Sequence, residues 1–321
     1  MKLYKDVLRQ AWEHTIHRPG LWIFGFFATF VFGASGELDR YLRFMNGIVT
    51  DGDLLNPKSW LDGRWLTVAT DLWNAMLAGQ VNAWLFSVGI VIAAIIMVGM
   101  VSIAVGALVH SAVHKTESFG EAFQAGAQHM IQLFVLFVTG YLVIVVATLA
   151  LVTAVLKLAP VETFQSQQLL ITVVAGVVFI PLVIVVSLII RLASMAVVVD
   201  GNHIGTALGQ AWRLFCKHWL VVIEMAIISF LLVGVVSLGL LVGLTVIFLP
   251  VFLGVSFGGE AAVLVRIQNA SWIGQWLYLL LSFFSAAIIS TWQWSAWTLL
   301  FQALRTDNHS STLVRWIREV K

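Results

Sequence analysis

Two ionisable side chains stand inside or beside long apolar runs, where a buried charge is costly. Glu224 follows the start of the run 219–249 by about five residues, which places its carboxyl roughly 8 Å deep if the run is a membrane helix. Arg191 ends the run 168–190 and approaches the same membrane boundary. The two charges are therefore predicted to pair. We favour a pair that locks two helices together, and the alternative is a gate or proton-coupled switch in a transporter.

Histidines are the second group that could do chemistry, because seven of them fall near the same predicted membrane boundary. His110 and His114 are four residues apart on one predicted helix, a spacing that can hold a metal ion. The chain has a single cysteine, Cys216, and no HExxH motif, so this pair is only a weak metal candidate. The other interpretation is a set of solvated histidines at a membrane surface, which are His14, His17, His110, His114, His129, His203 and His218.

Motifs that carry enzyme chemistry are missing from the sequence. It contains no Walker lysine loop, no dinucleotide glycine fingerprint and no GxSxG elbow. We therefore predict that the chain is not an enzyme and binds no cofactor. The formal net charge of +2 argues against nucleic acid as a partner.

The elements that must position these side chains are membrane helices. Hydrophobic residues make up 60% of the chain and charged residues 11%, against roughly 25% charged residues in a soluble domain. Five apolar runs exceed the roughly 20 residues that a membrane helix needs, and they are 83–109, 130–156, 168–190, 219–249 and 272–301. A sixth run, 20–36, is about 17 residues long and is interrupted by Gly25 and Gly33. We count it as a span, although it could tilt or re-enter.

The distribution of Lys and Arg predicts the orientation, since basic residues are retained on the cytoplasmic side. Both termini are predicted to be cytoplasmic, and the long acidic loop 37–80 external. The cytoplasmic set is Lys2, Lys5, Arg9, Arg18, Lys115, Arg191, Arg213, Lys217, Arg305, Arg315, Arg318 and Lys321, and the opposite side holds Arg40, Arg43, Lys58, Arg64, Lys157 and Arg266.

An internal repeat organises the chain. At a shift of 200 positions, Gln10-Ala11-Trp12 aligns with Gln210-Ala211-Trp212, and a third segment, 119–130, has the same apolar spacing. Each segment leads into a span, so the predicted unit is an interfacial amphipathic helix followed by a transmembrane hairpin. The repeats cover about 1–112, 117–200 and 202–304, and the tail 305–321 adds another interfacial candidate. Alternatively, any short basic helix before a span has this pattern.

The segment RLASMAVVVDGNHIGTALGQAWRLFCKHWLVVIEMAI carries a family resemblance. An arginine, Arg191, closes one span, an apolar stretch ends at Asp200, and the helix Ala207–Trp212 leads into the next span. This order resembles bacterial integral membrane proteins related to the membrane domain of glycerophosphoryl diester phosphodiesterase. The resemblance implies a compact helical membrane domain without an established activity. It does not imply the phosphodiesterase, which belongs to a separate soluble domain in the namesake.

Together these patterns predict one all-α polytopic domain, 1–321, with about six spans in the bacterial cytoplasmic (inner) membrane. The expected role is a non-enzymatic structural or accessory one, with membrane lipids and another membrane protein or a second copy of the chain as candidate partners. The alternative is a transporter or channel for a small solute or lipid, with a cavity near Arg191 and Glu224. A weaker alternative is a lipid-acting membrane enzyme.

Overall fold

The regular structure in the described part of the chain is entirely helical. The computed structural model describes residues 2–30, 74, 77–78, 81–115, 118–158, 165–256 and 260–306, and these residues include no strand. The all-α prediction is therefore confirmed for them. The elements, in order, are α1 (Lys2–Ile16), a 3-10 helix (Pro19–Leu21), α2 (Trp22–Ala28), α3 (Val81–His114), α4 (Phe119–Gln128), α5 (Met130–Leu158), α6 (Gln165–Asp200), α7 (Ile204–Ser256) and α8 (Glu260–Thr306).

Among the residues that the structure describes, four stretches of helix are long and apolar enough to cross a membrane, as a membrane protein requires. They overlap four of the five long apolar runs. The fifth run, 272–301, lies within α8 but is not among the four, and the run 20–36 is described only to residue 30, with an apolar stretch at Pro19–Ala28. Six spans therefore stay a prediction. The four stretches are Trp84–His114, Met130–Ala147, Pro181–Asp200 and Ile204–Val236.

Two predicted segments lie outside the described residues. The loop 37–80 is one of them, apart from residues 74, 77 and 78, and the tail beyond residue 306 is the other. The external position of the loop and the interfacial helix of the tail stay predictions.

The chain divides into two compact units, each built from separate stretches of sequence. Unit 1 comprises Met1–Val31, Ala104–Ala127 and Trp212–Lys321, and unit 2 comprises Phe32–Ile103 and Gln128–Ala211. In unit 1, residues 290–298 of α8 are buried without a break, and in unit 2 the same holds for residues 190–198 of α6. A helix that is buried through more than two turns has neighbours on every side along that stretch.

The first two copies of the matched segment share a pattern of burial as well as of sequence. Residues 4–18 and 204–218 are buried, half-buried or exposed alike at every pair of positions except 4/204, 10/210 and 18/218. Ala11 and Ala211 are both completely buried. In α4, the residue at the corresponding position is Gly126, which is also buried. A small residue at this position lets the helix backbone approach its neighbours closely.

The backbone of α7 is interrupted at His218, where φ is −127° and ψ is 27°. This residue separates an amphipathic segment, Ile204–Lys217, from the apolar helix that begins at Trp219. We call Ile204–Lys217 the α7 surface segment. The kink lets this segment and the following apolar helix run in different directions, as an interfacial helix before a span requires.

Left-handed residues end two of the long helices immediately before an amphipathic helix. Lys115 follows α3 with φ 53°, and Gly201 follows α6 with φ 63°. The next helices begin a few residues later, at Phe119 and Ile204. One left-handed residue at this point ends the helix and turns the chain.

Exchanging glycine and a larger residue at these two turns should change stability in opposite directions. A left-handed conformation costs a residue with a Cβ roughly 1 kcal/mol, and open space surrounds a Cβ at Gly201. We expect Gly201→Ala to lower the free energy of unfolding by about 1 kcal/mol and Lys115→Gly to raise it by a similar amount. Thermal unfolding in detergent measures both, and a loss of stability with Lys115→Gly would contradict the expectation.

Candidate functional site

Glu224, the acidic residue singled out by its depth in an apolar run, is engaged with the N-terminal helix. It lies on α7, beyond the kink at His218, and is half-buried. The hydroxyl of Tyr4, on α1, donates a hydrogen bond to Glu224 Oε2. Both residues belong to unit 1, although 220 positions separate them in the chain. This bond fixes the amphipathic helix α1 to the apolar part of α7.

Arg191, the predicted partner of Glu224, belongs to unit 2. It is 5% exposed and lies on the uninterruptedly buried stretch of α6. One turn on, Ser194 Oγ donates a hydrogen bond of 2.7 Å to the Arg191 carbonyl. The two charges belong to different units, so the surroundings of each are given separately. Their pairing stays a prediction.

Sequence reasoning did not identify Tyr4 as a partner of Glu224. A buried tyrosine usually directs its hydroxyl to a hydrogen-bonding partner, and Tyr4 is almost fully buried. That rule could have indicated a polar group opposite α1. It could not have said that the group is Glu224.

A second polar cluster in unit 1 surrounds His14, near the end of α1. Arg18 Nη1 lies 2.9 Å from His14 Nε2, and Ser111 Oγ on α3 lies 3.3 Å from the same nitrogen. Ser295 Oγ on α8 lies 3.3 Å from His14 Nδ1. Since a guanidinium can only donate, Nε2 accepts the bond from Arg18 and the imidazole proton resides on Nδ1, directed at Ser295. A neutral His14 thus joins three helices.

The surroundings of His14 favour this neutral form. Burial lowers the pKa of His14 to about 4, and the positive charges of Arg18 and Lys115 act in the same direction. The carbonyl oxygen of Ser111 lies 3.1 Å from Nε2 and raises the pKa of His14, because it would accept a hydrogen bond from a proton on Nε2. Burial and the two cations outweigh it.

Acid should weaken the protein through His14. An unfolded histidine has a pKa of about 6.5, so between pH 6.5 and 4 the unfolded chain takes up a proton that the folded chain does not, and stability falls. We expect a loss of about 1 to 2 kcal/mol on going from pH 7.5 to 4.5, after allowance for solvent screening of a half-buried group. The measurement is thermal unfolding in detergent across this range.

His14→Gln supplies the control, because glutamine keeps hydrogen-bonding groups but does not titrate. Other groups titrate equally in both proteins, so the relevant quantity is the stability difference between wild type and variant. We expect this difference to narrow as the pH falls. A difference that is constant from pH 7.5 to 4.5 would show that His14 does not carry the effect.

The weak metal candidates, His110 and His114, pack against each other. Their rings are stacked with centroids 4.2 Å apart, and His114 Nδ1 lies 3.3 Å from the His110 carbonyl oxygen, within range for donation from the ring. Among the residues that the structure describes, no group of three potential ligands could hold a metal ion. The two rings contact each other at the end of α3, and their weak candidacy as metal ligands stays a prediction.

A third polar cluster lies in unit 2, at the turn between α6 and α7. Gln210 Nε2 donates to Asp200 Oδ2 at 2.8 Å, and Asn202 Nδ2 donates to Gln210 Oε1 at 2.6 Å. Asp200 and Gln210 thus connect the end of α6 to the α7 surface segment. The glutamine of the repeated Gln-Ala-Trp motif was the available signal for this contact.

Comparisons of the whole chain with protein-family models, curated proteins and solved structures find no significant match.

Proposed function

We propose that this chain is a non-enzymatic structural or accessory protein of the bacterial cytoplasmic membrane. In this proposal three repeats, each an interfacial helix followed by a hairpin of two spans, form the membrane domain, and both termini face the cytoplasm. The matched burial of residues 4–18 and 204–218 supports the repeat. So do the left-handed turns at Lys115 and Gly201, each of which precedes an amphipathic helix.

The hydrogen bond from Tyr4 to Glu224 is the observation that carries the proposal. Glu224 is the acidic side chain best placed to serve a transport pathway, and its carboxylate is used to hold α1. Other polar groups of unit 1 serve the same purpose. Trp292 Nε1 donates to the Leu8 carbonyl oxygen at 3.4 Å, and His14 lies between the hydroxyls of Ser111 and Ser295. Polar chemistry inside this unit therefore goes into joining helices.

A structural role also agrees with the resemblance to the membrane domain of glycerophosphoryl diester phosphodiesterase, which implies no activity of its own. The partners would be membrane lipids and another membrane protein or a second copy of the chain. The transporter alternative keeps one specific support. Arg191 is buried in an apolar stretch of α6, and ionisable residues in such positions often serve ion or substrate pathways.

Reconstitution in vesicles tests these alternatives. Proton and fluorescent-solute flux would be measured for wild type, Glu224→Gln and the control Glu13→Gln, whose carboxylate is exposed and paired with Arg9 at 3.0 Å. A structural protein should leave fluxes at the level of protein-free vesicles, and Glu224→Gln should lower only the unfolding temperature. Flux through wild type that Glu224→Gln abolishes, with an unchanged unfolding temperature, would establish the transporter instead.

A further inference from the structure

The exposed side of the α7 surface segment combines aromatic and basic side chains. Trp212 is 53% exposed, and Trp219, just past the kink at His218, is 51% exposed. Arg213 and Lys217, which are four residues apart and lie on one side of the helix, are also exposed. The stretch 204–219 includes no acidic residue. This surface is therefore both positively charged and able to insert aromatic rings.

The other two amphipathic helices do not share this chemistry. On α1, Trp12 is exposed to the same degree as its counterpart Trp212, but the position matching Arg213 holds Glu13, which pairs with Arg9 at 3.0 Å. α4 has one charged residue, the acidic Glu121. Positive charge without acidic neighbours in the sequence is thus a property of one helix of the three.

The α7 surface segment is joined directly to a helix that can cross a membrane, so its exposed side should face the membrane surface. The apolar helix that begins at Trp219 belongs to a stretch, Ile204–Val236, that is long and apolar enough to cross a membrane. Arg213 and Lys217 precede Trp219 by six and two residues, so the chain holds both within roughly 9 Å of the start of that helix. The two cations are thereby held at about the level of the lipid headgroups, where Trp rings also accumulate. A phosphate with net negative charge complements both of them.

We propose that Trp212, Arg213, Lys217 and Trp219 form a binding surface for the headgroup of an anionic phospholipid. This inference rests on the proposed membrane placement of α7. The phosphate accepts hydrogen bonds from Arg213 and Lys217, and the two indole rings flank the glycerol region. Headgroups without net charge bind more weakly, because the attraction to the two cations is then largely lost.

Lipid titration of the purified full-length protein in detergent tests this inference. Phosphatidylglycerol should raise the unfolding temperature by about 3 °C more than phosphatidylcholine does. In the double variant Arg213→Gln/Lys217→Gln we expect about thirtyfold weaker phosphatidylglycerol binding, since each cation near the headgroups strengthens binding about fivefold. The control Lys5→Gln/Arg9→Gln removes two cations from α1 and should bind phosphatidylglycerol as wild type does.

Three results would overturn the inference. They are equal responses of wild type to the two lipids, full phosphatidylglycerol binding by the α7 double variant, and an equal effect of soluble glycerol phosphate, which would indicate a site for a free phosphate. Flotation of reconstituted vesicles after alkaline extraction separates this failure from that of the proposed function. If the protein floats with the vesicles but does not prefer anionic lipid, the headgroup site is wrong and the membrane placement stands. If alkali releases the protein, it is not embedded in a membrane and the proposed function fails as well.

Discussion

Replacing Gly25 with alanine is expected to destabilise the protein by about 3 kcal/mol, because α2 then cannot pack against α8. A Cβ at Gly25 would overlap the backbone carbonyl of Ala287 and Oγ1 of Thr291. Neither group can easily move away. Thr291 Oγ1 bonds to the Ala287 carbonyl at 2.9 Å and to the Leu21 carbonyl at 3.4 Å, so the obstacle is backbone and a restrained side chain. Thermal unfolding and size-exclusion chromatography in detergent measure the loss.

Two other glycines provide graded controls for Gly25. The atom nearest to a Cβ at Gly140 would be Cδ1 at the end of the Ile190 side chain, and a Cβ at Gly20 would meet nothing within 4 Å. Gly140→Ala should therefore cost less than Gly25→Ala, and Gly20→Ala should leave the unfolding temperature within a degree or two of wild type. If Gly25→Ala were as stable as Gly20→Ala, the close approach of α2 and α8 would be wrong.

Tyr4→Phe should lower the free energy of unfolding by about 2 kcal/mol, which is typical of a hydrogen bond to a charged group. Phenylalanine keeps the ring and removes only the hydroxyl that donates to Glu224. The half-buried carboxylate then loses a donor that water replaces incompletely. Thermal unfolding in detergent at neutral pH measures the change.

A double-mutant cycle shows whether that loss arises from the contact with Glu224. Tyr4→Phe and Glu224→Gln should be clearly non-additive, with an interaction energy of about 1 kcal/mol or more. Glu13→Gln, on the exposed side of α1, should combine additively with Tyr4→Phe. Additivity of Tyr4→Phe with Glu224→Gln would mean that the two side chains act independently, and the structural role proposed for Glu224 would lose its main support.

Local periodicity predicted part of the buried faces of the amphipathic helices. Ala11 and Ala211 lie in the matched apolar spacing and are buried, whereas Trp12 and Trp212 lie in the same spacing and are 51% and 53% exposed. That spacing is a property of the segment itself, so it can be read without knowledge of the partner. The apolar runs that predict membrane helices are local in the same sense, and four of them have the expected length and composition.

Contacts between distant segments could not be predicted in this way. Gly25 was interpreted as an interruption of an apolar run, whereas its lack of a Cβ admits the backbone of Ala287. Glu224 was singled out by its depth in an apolar run, but its hydrogen bond with Tyr4 was not predicted. No local pattern points from Glu224 to the phenol of Tyr4, because that contact depends on which helices become neighbours.

The attachment of α1 to α8 has a consequence for biosynthesis. Leu8 and Trp292, joined by a hydrogen bond, are 284 positions apart, and a ribosome adds about 5 to 20 residues per second. The N-terminal helix therefore waits about 15 to 60 s after its own synthesis before its last docking surface exists. Until then the face of α1 that contacts α8 has no partner helix. We expect chains that terminate before α8 to keep that face uncovered.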